Sequence, residues 1–269
     1  YLTWTAVARE IYQKTGLKCL PFEQQGNFIK LVKSPIFYNN LYFEQDFSSN
    51  HCFPLQLNNP ETNYCLSDLP EKAIHRKDKH IIDTICNFYG ISNPLLRCEI
   101  FLDDNEKIKI SALLKSLPEN FITIEPFSNP EYTVNRSYPF DKWQQIVDNI
   151  SPHIDIVQIG NSPVSLNNVV DLRGKTSFRT AGGIIEKSKM LLSSEGGLTH
   201  LSTAFNTPAF VILTGYQTLT MIKYPQNFYL DISKHGPCGY KIPCLDCQED
   251  AQSHDPREAA RMIREVLKL

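Results

Sequence analysis

The run Ser193-Ser194-Glu195-Gly196-Gly197-Leu198-Thr199-His200 stands between two apolar segments, Met190-Leu191-Leu192 before it and Pro208-Ala209-Phe210-Val211-Ile212-Leu213 after it. The order reads as strand, glycine turn, helix and strand. A helix that opens at a glycine pair presents free backbone N–H groups and the positive end of its dipole, which suits an anionic ligand. Glu195 at the strand tip and His200 one turn into the helix add side chains to such a site. A tight strand-to-helix turn with a buried histidine is the plain alternative, because Gly-Gly is a common turn signal.

Strands and helices continue to alternate around this run. Residues 121–124 are a β-branched strand, and a helix is expected over 139–150, with Phe140, Trp143, Ile146 and Val147 on one face and Pro139 at its first turn. Residues 154–160 and 169–172 read as strands, 177–187 as a helix capped by Ser177, 228–230 as a last strand, and the chain from Pro256 onward as an amphipathic helix. Such alternation implies a parallel, doubly wound sheet. The first half is less regular: helices are expected over 4–14, 79–89 and 104–116, short strands over 36–38 and 99–101, and a loop over 48–68. A boundary at Leu117-Pro118-Glu119 divides the chain into domains 1–117 and 118–269. Two α/β domains meeting there would place a ligand cleft at the carboxyl ends of the strands.

With 42% hydrophobic and 21% charged residues, the 269-residue chain is of globular composition. Lysine and arginine number 27 against 29 acidic residues, so no net charge draws it to nucleic acid. No apolar run reaches the roughly 18 residues that span a bilayer, and a soluble chain is expected. Five of the eight cysteines, Cys19, Cys52, Cys65, Cys86 and Cys98, are scattered through the first half and read as reduced thiols. Cys238, Cys244 and Cys247 form a C-x5-C-x2-C cluster with His235 and His254 nearby. Its expected state is a structured loop with free thiols and no metal; thiolate ligation of a metal is the alternative.

A second polar cluster runs from Glu125-Pro126-Phe127-Ser128 to Asn135-Arg136-Ser137-Tyr138-Pro139. It follows one strand and opens the next helix, so it faces the same sheet edge as the glycine turn. Arg136 is placed to reach an anion there, as an arginine clamp does, or else is a solvated loop residue. Ser128 and Asn129 add weaker hydrogen-bonding groups. Gly160-Asn161-Ser162 reads as a turn on that rim, and Tyr216 either stacks on a ligand or closes its loop. His75, His80 and His153 invite no catalytic role.

Taken in this order, the clusters resemble glycosyltransferase family 9, the heptosyltransferase family of lipopolysaccharide assembly. The family pattern D-S/T-G-x-x-H-L-A is similar to Glu195-Gly196-Gly197-Leu198-Thr199-His200-Leu201-Ser202, with Pro208 and residues 211–215 in register. Val170-Asp171-Leu172-Arg173-Gly174-Lys175-Thr176-Ser177 resembles the family's DLxGKTSL segment, and residues 126–143 resemble its PG…KxWP…W segment, with Arg136 where a lysine commonly lies. Ile36-Phe37-Tyr38-Asn39-Asn40 is similar to an xxxNNP stretch, and residues 5–10 to the first helix. Glu195 replaces the usual aspartate, Gly196 a hydroxyl residue, and Gly182-Gly183 better helix formers.

The resemblance implies an α/β fold of two Rossmann-like domains facing a cleft, the GT-B type. The first domain would be incomplete at its start, the second would bind the nucleotide sugar, and the final helix would pack back on the first. It implies an inverting, metal-independent transferase without cofactor. Glu195, Gly196, Gly197, Leu198, Thr199, His200, Arg136 and Ser128 would bind the donor, and Arg136 would stabilise the leaving diphosphate. The catalytic aspartate base would fall immediately before Tyr1. The donor would be a nucleotide-diphosphate sugar carrying heptose or a similar sugar. The acceptor would be a surface glycan, a glycolipid or a protein, met in the cytoplasm at the inner face of a bacterial inner membrane, with at most peripheral membrane association. The rival functions are a sugar-nucleotide epimerase, for which no second acid/base pair stands out, and a non-catalytic sugar-nucleotide binder or assembly subunit.

Overall fold

The computed structural model describes residues 1–46, 51–62 and 78–269. Its centre is a six-stranded, wholly parallel sheet built from β4 (Phe121–Glu125), β5 (Asp155–Gln158), β6 (Val170–Asp171), β7 (Leu191–Ser194), β8 (Ala209–Leu213) and β9 (Phe228–Asp231). The strands lie in the order β6-β5-β4-β7-β8-β9. Renumbered within this half, that is the 3-2-1-4-5-6 order of the doubly wound nucleotide-binding fold. The sequence expectations of strands, and of helices α4 (Phe140–Ile150), α5 (Phe178–Lys187), α6 (Gly197–Ala204) and α9 (Pro256–Leu267), hold to within a few residues. Ser177 Oγ accepts from the Thr180 N–H and caps α5 as its sequence position predicts.

Side chains alternate across the sheet, and both faces are buried. Ile122, Ile124, Ile156, Leu192, Phe210 and Ile212 pack with Trp143, Ile146 and Ile150 of α4 and Ala259 and Ile263 of α9. The opposite set, Phe121, Val157, Leu191, Ala209 and Val211, joins Ile184 of α5, Leu201 of α6 and the apolar side chains of the first half in one continuous cluster. Among the described residues, the last helix packs on α4 rather than on the first half. The apolar face it presents, Ala259, Ala260 and Ile263, is matched by the Trp143 face of α4, which no first-half residue joins among the described residues.

The first half contributes α1 (Leu2–Thr15), α2 (Ile81–Phe88), α3 (Asp104–Leu114) and a three-stranded sheet in the order β2-β1-β3. Here β1 (Cys19–Gln25) and β2 (Phe28–Leu31) form an antiparallel hairpin, and β3 (Phe53–Gln56) pairs parallel to β1. The sequence pattern misses the hairpin, because Phe28, Ile29 and Leu31 are exposed and the usual buried-exposed alternation is lost. It also misses β3, which falls inside the loop expected over 48–68; residues 48–50 and 63–68, like Cys65 and His75, lie outside the described residues. The strand expected at 36–38 is a 3-10 turn (Pro35–Phe37), because Pro35 fixes its first residue and Ser34 Oγ caps the Ile36 N–H. The strand expected at 99–101 has no ladder partner among the described residues. Its amides are taken by side chains instead: Cys98 N–H donates to Thr203 Oγ1 and Glu99 N–H to Thr5 Oγ1.

The two halves are joined at Arg179 on α5, whose guanidinium donates to the Glu106 carboxylate on α3 and to the carbonyls of Pro35, Tyr38 and Phe101. The Gly182-Gly183 pair on the same helix has a packing cause. A Cβ at Gly182 would lie 2.3 Å from the Phe205 ring, and one at Gly183 would lie 2.2 Å from Ile110. The pair lets α6 and α3 close onto α5.

Candidate functional site

In a doubly wound sheet the ligand crevice opens where strand order reverses, between the first and fourth strands. Here those strands are β4 and β7, paired through Ile124–Leu192 and Glu125–Ser193. The loop after β4 carries Ser128 and Arg136, the loop after β5 carries Gly160 and Asn161, and β7 runs through Glu195 into α6. These loops surround a cavity of about 320 Å³, lined also by Thr176 and Phe178 ahead of and within α5.

The walls of this cavity hold a concentration of unpaired polar atoms. Glu125 Oε1, Arg136 Nε, Thr176 Oγ1, Ser194 Oγ and Glu195 Oε2 are all buried and have no hydrogen-bond partner in the protein. Buried polar groups are nearly always satisfied, so five such atoms around one space mark a place for a polar ligand or ordered water. Gly196, the residue before α6, gives the helix no side-chain cap, and its first amides face the cavity uncapped. Gly196 has an extended backbone (φ 176°), and a Cβ there would meet only ordinary contacts. Its contribution is open space against the helix end rather than an unusual turn.

Arg136 reaches across from the β4 loop. Its Nη1 lies 3.4 Å from Glu195 Oε1, a long contact, and its guanidinium stacks over the Tyr132 ring at 4.7 Å. Burial pushes the Glu195 carboxyl up, and Arg136 opposes that shift. Ser128 Oγ donates to the Arg136 carbonyl and fixes the loop that carries it. Glu125, at the tip of β4, is pushed up to about 8 by burial, against one backbone hydrogen bond from Phe127. Its carboxyl fills the space over Gly160 (φ +84°), where a Cβ would lie 1.3 Å from Oε2, so only glycine fits.

The sequence grouping thus divides. Arg136, Ser128, Glu195, Gly196, Gly197 and Leu198 line this cavity. Thr199 is buried behind it, with its hydroxyl against Ser193 Oγ and the Ser194 carbonyl, and does not line it. His200 opens instead into a neighbouring cavity of about 580 Å³, which it shares with Gly197, Phe178 and residues 1–4 of the first half. Its Nδ1 is 2.6 Å from the Tyr224 hydroxyl. Burial, with His80 beside it, holds its ring down at about 3, so it is neutral. Glu125, Thr176 and Ser194 were not singled out as site residues. The signal for Glu125 was available, since it is the one carboxylate ending the first strand of the 3-2-1-4-5-6 sheet.

Cys238, Cys244 and Cys247 come together on the far side of the Arg136 loop, with all three Sγ atoms within 4.8 Å of one another. Metal–thiolate bonds of about 2.3 Å put sulfurs roughly 3.8 Å apart in a tetrahedral site, so a small closure brings the three onto one ion. Hydrogen bonds from Cys247, Cys244 and the Tyr240 N–H draw the Cys238 thiol down while the same pairing pushes the Cys247 thiol up, so the cluster's first negative charge settles on Cys238. The donor set is soft and suits iron or zinc.

No family model matches the sequence, and no curated protein matches it at the sequence level. Solved structures match the fold. The iron-containing, dodecameric heptosyltransferase TibC from enterotoxigenic E. coli H10407, solved in complex with ADP-D-β-D-heptose, aligns with 99% of this chain and 73% of its own, at 12% identity and a TM-score of 0.66. The E. coli ADP-heptose lps heptosyltransferase II aligns with 73% of this chain and 64% of its own, at 13% identity and a TM-score of 0.53. A glycosyl transferase of family 9 from Veillonella parvula aligns over 67% of this chain and 53% of its own, at 13% identity and a TM-score of 0.49. The chain thus spans less than two thirds of the length of the latter two. Its fold is the α/β fold of the GT-B heptosyltransferases. Among the described residues, no helix is long and apolar enough to cross a membrane.

Proposed function

We propose that the chain is a glycosyltransferase that moves a sugar from a nucleotide-diphosphate donor to a hydroxyl acceptor, with residues 118–269 as the donor domain. The observation that carries this reading is the set of five unpartnered polar atoms around the cavity at the β4–β7 switch point, beside the uncapped start of α6. The donor diphosphate sits against the Gly197 and Leu198 amides, and Arg136 turns from its long Glu195 contact to a phosphate oxygen. Glu195 Oε2 accepts from a hydroxyl of the sugar or ribose. Neutral Glu125 donates its proton into a hydrogen bond, an arrangement open to a carboxyl kept protonated by burial.

As the bond to the anomeric carbon breaks, negative charge grows on the departing diphosphate. Arg136 and the α6 dipole are already in place to receive it. The neutralisation at this end is done by side chain and backbone, with inversion at the sugar carbon. The acceptor hydroxyl approaches from the adjoining cavity, where neutral His200 is available to position it, and the acceptor is a surface glycan or lipid-linked core at the cytoplasmic face of a membrane. The thiol cluster lies behind the Arg136 loop, and by its donor set Cys238, Cys244 and Cys247 hold a thiophilic cation that serves structure. That TibC contains iron supports this assignment.

A thermal-shift screen with ADP-heptose and with UDP-, GDP- and ADP-hexoses tests the reading, because a ligand that binds only the folded state raises its melting temperature. At least one donor should raise it, and Arg136→Ala should abolish the rise. A wild-type chain that responds to none of them, or a variant that responds fully, would overturn the donor-site assignment.

A further inference from the structure

The segment between β9 and α8 (Leu245–Ser253), residues 232–244, has no regular secondary structure, and its conformation is set by what it touches. Asp250 holds its first part, accepting from the Lys234 and His235 N–H groups, and Asn135, a buried residue next in sequence to Arg136, holds its second. Asn135 Nδ2 donates to the carbonyls of Tyr240 and Ile242, each at 2.8 Å, and its Oδ1 accepts from the Cys244 N–H at 2.9 Å. Thr133 Oγ1 donates to the same Tyr240 carbonyl. The Asn135 carbonyl is held in turn by Thr214 Oγ1. Asparagine suits this role because one side chain supplies two donors and an acceptor in a fixed plane.

A second route reaches Arg136 from the same cysteines. The Cys238 N–H donates to the Gly215 carbonyl and the Gly239 N–H to the Tyr216 carbonyl. Gly215 (φ +96°) lies so close to Cys247 that a Cβ there would stand 3.2 Å from its sulfur. Tyr216 then meets Tyr132, hydroxyl to hydroxyl at 3.1 Å, and both rings flank the Arg136 guanidinium, at 6.0 and 4.7 Å. The residue that faces the phosphates is therefore gripped from both sides by chain that converges on three thiols.

We propose that Asn135 couples the thiol cluster to the donor site: a thiophilic cation held by Cys238, Cys244 and Cys247 would fix residues 238–244 and thereby, through Asn135, set Arg136 against the diphosphate. Asn135 is a positioning residue in this scheme, and the thiol cluster is a structural control on donor binding. The proposal rests on the donor-site reading above. Without the cation, the segment is held by its hydrogen bonds alone and opens more readily, and Asn135 aims its neighbour less firmly.

The test uses the full chain and inorganic pyrophosphate as a probe that needs no particular base. Metal content is measured by mass spectrometry before and after calorimetric titration, so that removal of the cation by the probe is detected. Wild type should carry about one cation per chain. Stripping it should weaken pyrophosphate binding by roughly tenfold or more, the size of loss typical when the support of a site is removed, and reloading should restore binding. Asn135→Ala should keep the cation and still lose the affinity, which reloading should not restore. Cys247→Ser should lose both; if that variant fails to fold, the stripped and reloaded wild type and Asn135→Ala decide the matter. Equal binding by loaded and stripped protein, or wild-type affinity in Asn135→Ala, would overturn the coupling. A chain that takes up neither iron nor zinc would overturn the cation's role. No pyrophosphate binding by the loaded wild type would overturn the donor-site reading itself.

Discussion

Two arginines, at the joint and at the site, divide the molecule between them. Arg179, where the halves meet, spends its whole guanidinium on the protein: Nε and Nη2 on the Glu106 carboxylate, Nη2 also on Phe101, and Nη1 on Pro35 and Tyr38, at 2.6 to 3.2 Å. Arg136, at the β4–β7 switch point, has a 3.4 Å contact to Glu195, a tyrosine face and an unpartnered Nε. Both side chains are largely enclosed, 5% exposed for Arg179 and 14% for Arg136, and the completeness of the hydrogen bonding is what separates them. A saturated buried cation belongs to the fold, and an unsaturated one next to an open space belongs to a ligand.

The comparison breaks most visibly at the joint. Arg179→Ala removes the partner of the half-buried Glu106 carboxylate and leaves three first-half carbonyls without their donor. A loss of about 2–4 kcal/mol is expected from urea unfolding at pH 7, chiefly from carbonyls left without a donor, with a smaller part from the partly screened ion pair. A loss under about 1 kcal/mol would show that the joint does not depend on Arg179. Arg136→Ala should invert the pattern. Glu195, already pushed up by burial, takes a proton when its partner goes, so stability should change by less than about 1 kcal/mol. Diphosphate affinity should fall by about 1.5–3 kcal/mol, roughly 10- to 150-fold, the range for a hydrogen bond to a charged group. If both variants lose stability equally, the distinction between the two arginines is lost.

The sequence made the site half of this contrast legible and hid the joint. Residues 118–269 alternate in period and carry their turns and caps in plain view, because a parallel sheet buried on both faces demands apolar strands and local helix signals. Arg136 and Glu195 sit at strand ends in that pattern, so their convergence follows from topology. Arg179 looked like any helical arginine, since its partners lie 73 to 144 residues away in sequence. The first half resisted for the same reason. Its 98–101 stretch is held by Thr5 and Thr203 side chains, and its hairpin exposes Phe28 and Ile29, so neither prints a period on the sequence. Thr199 and His200 followed the glycine turn in sequence but rotate away from the cavity, as successive residues on a helix must.

The carboxylates sharpen the same contrast by pH. At the joint, Arg179 holds the Glu106 carboxyl below its ordinary value; that contribution is in place above the unfolded value and is lost only as pH falls. At the cavity, burial lifts Glu125 from 4.5 to about 8. A raised folded value has the opposite sign. The native state keeps a proton that the unfolded chain has released, so the stabilisation is complete below about 4.5 and drains away as pH rises towards about 8. One proton gives a slope of up to about 1.4 kcal/mol per pH unit across that window. Glu125→Gln keeps a neutral hydrogen-bonding group of the same shape and cannot ionise. Its unfolding free energy, followed in urea from pH 5 to 8, should fall less steeply than that of wild type, and the two curves should draw apart as pH rises. Parallel curves would mean that Glu125 is already ionised in the native protein. The cavity would then hold its charge in water, and its unpartnered oxygens would point to solvent rather than to a dry seat for a diphosphate sugar.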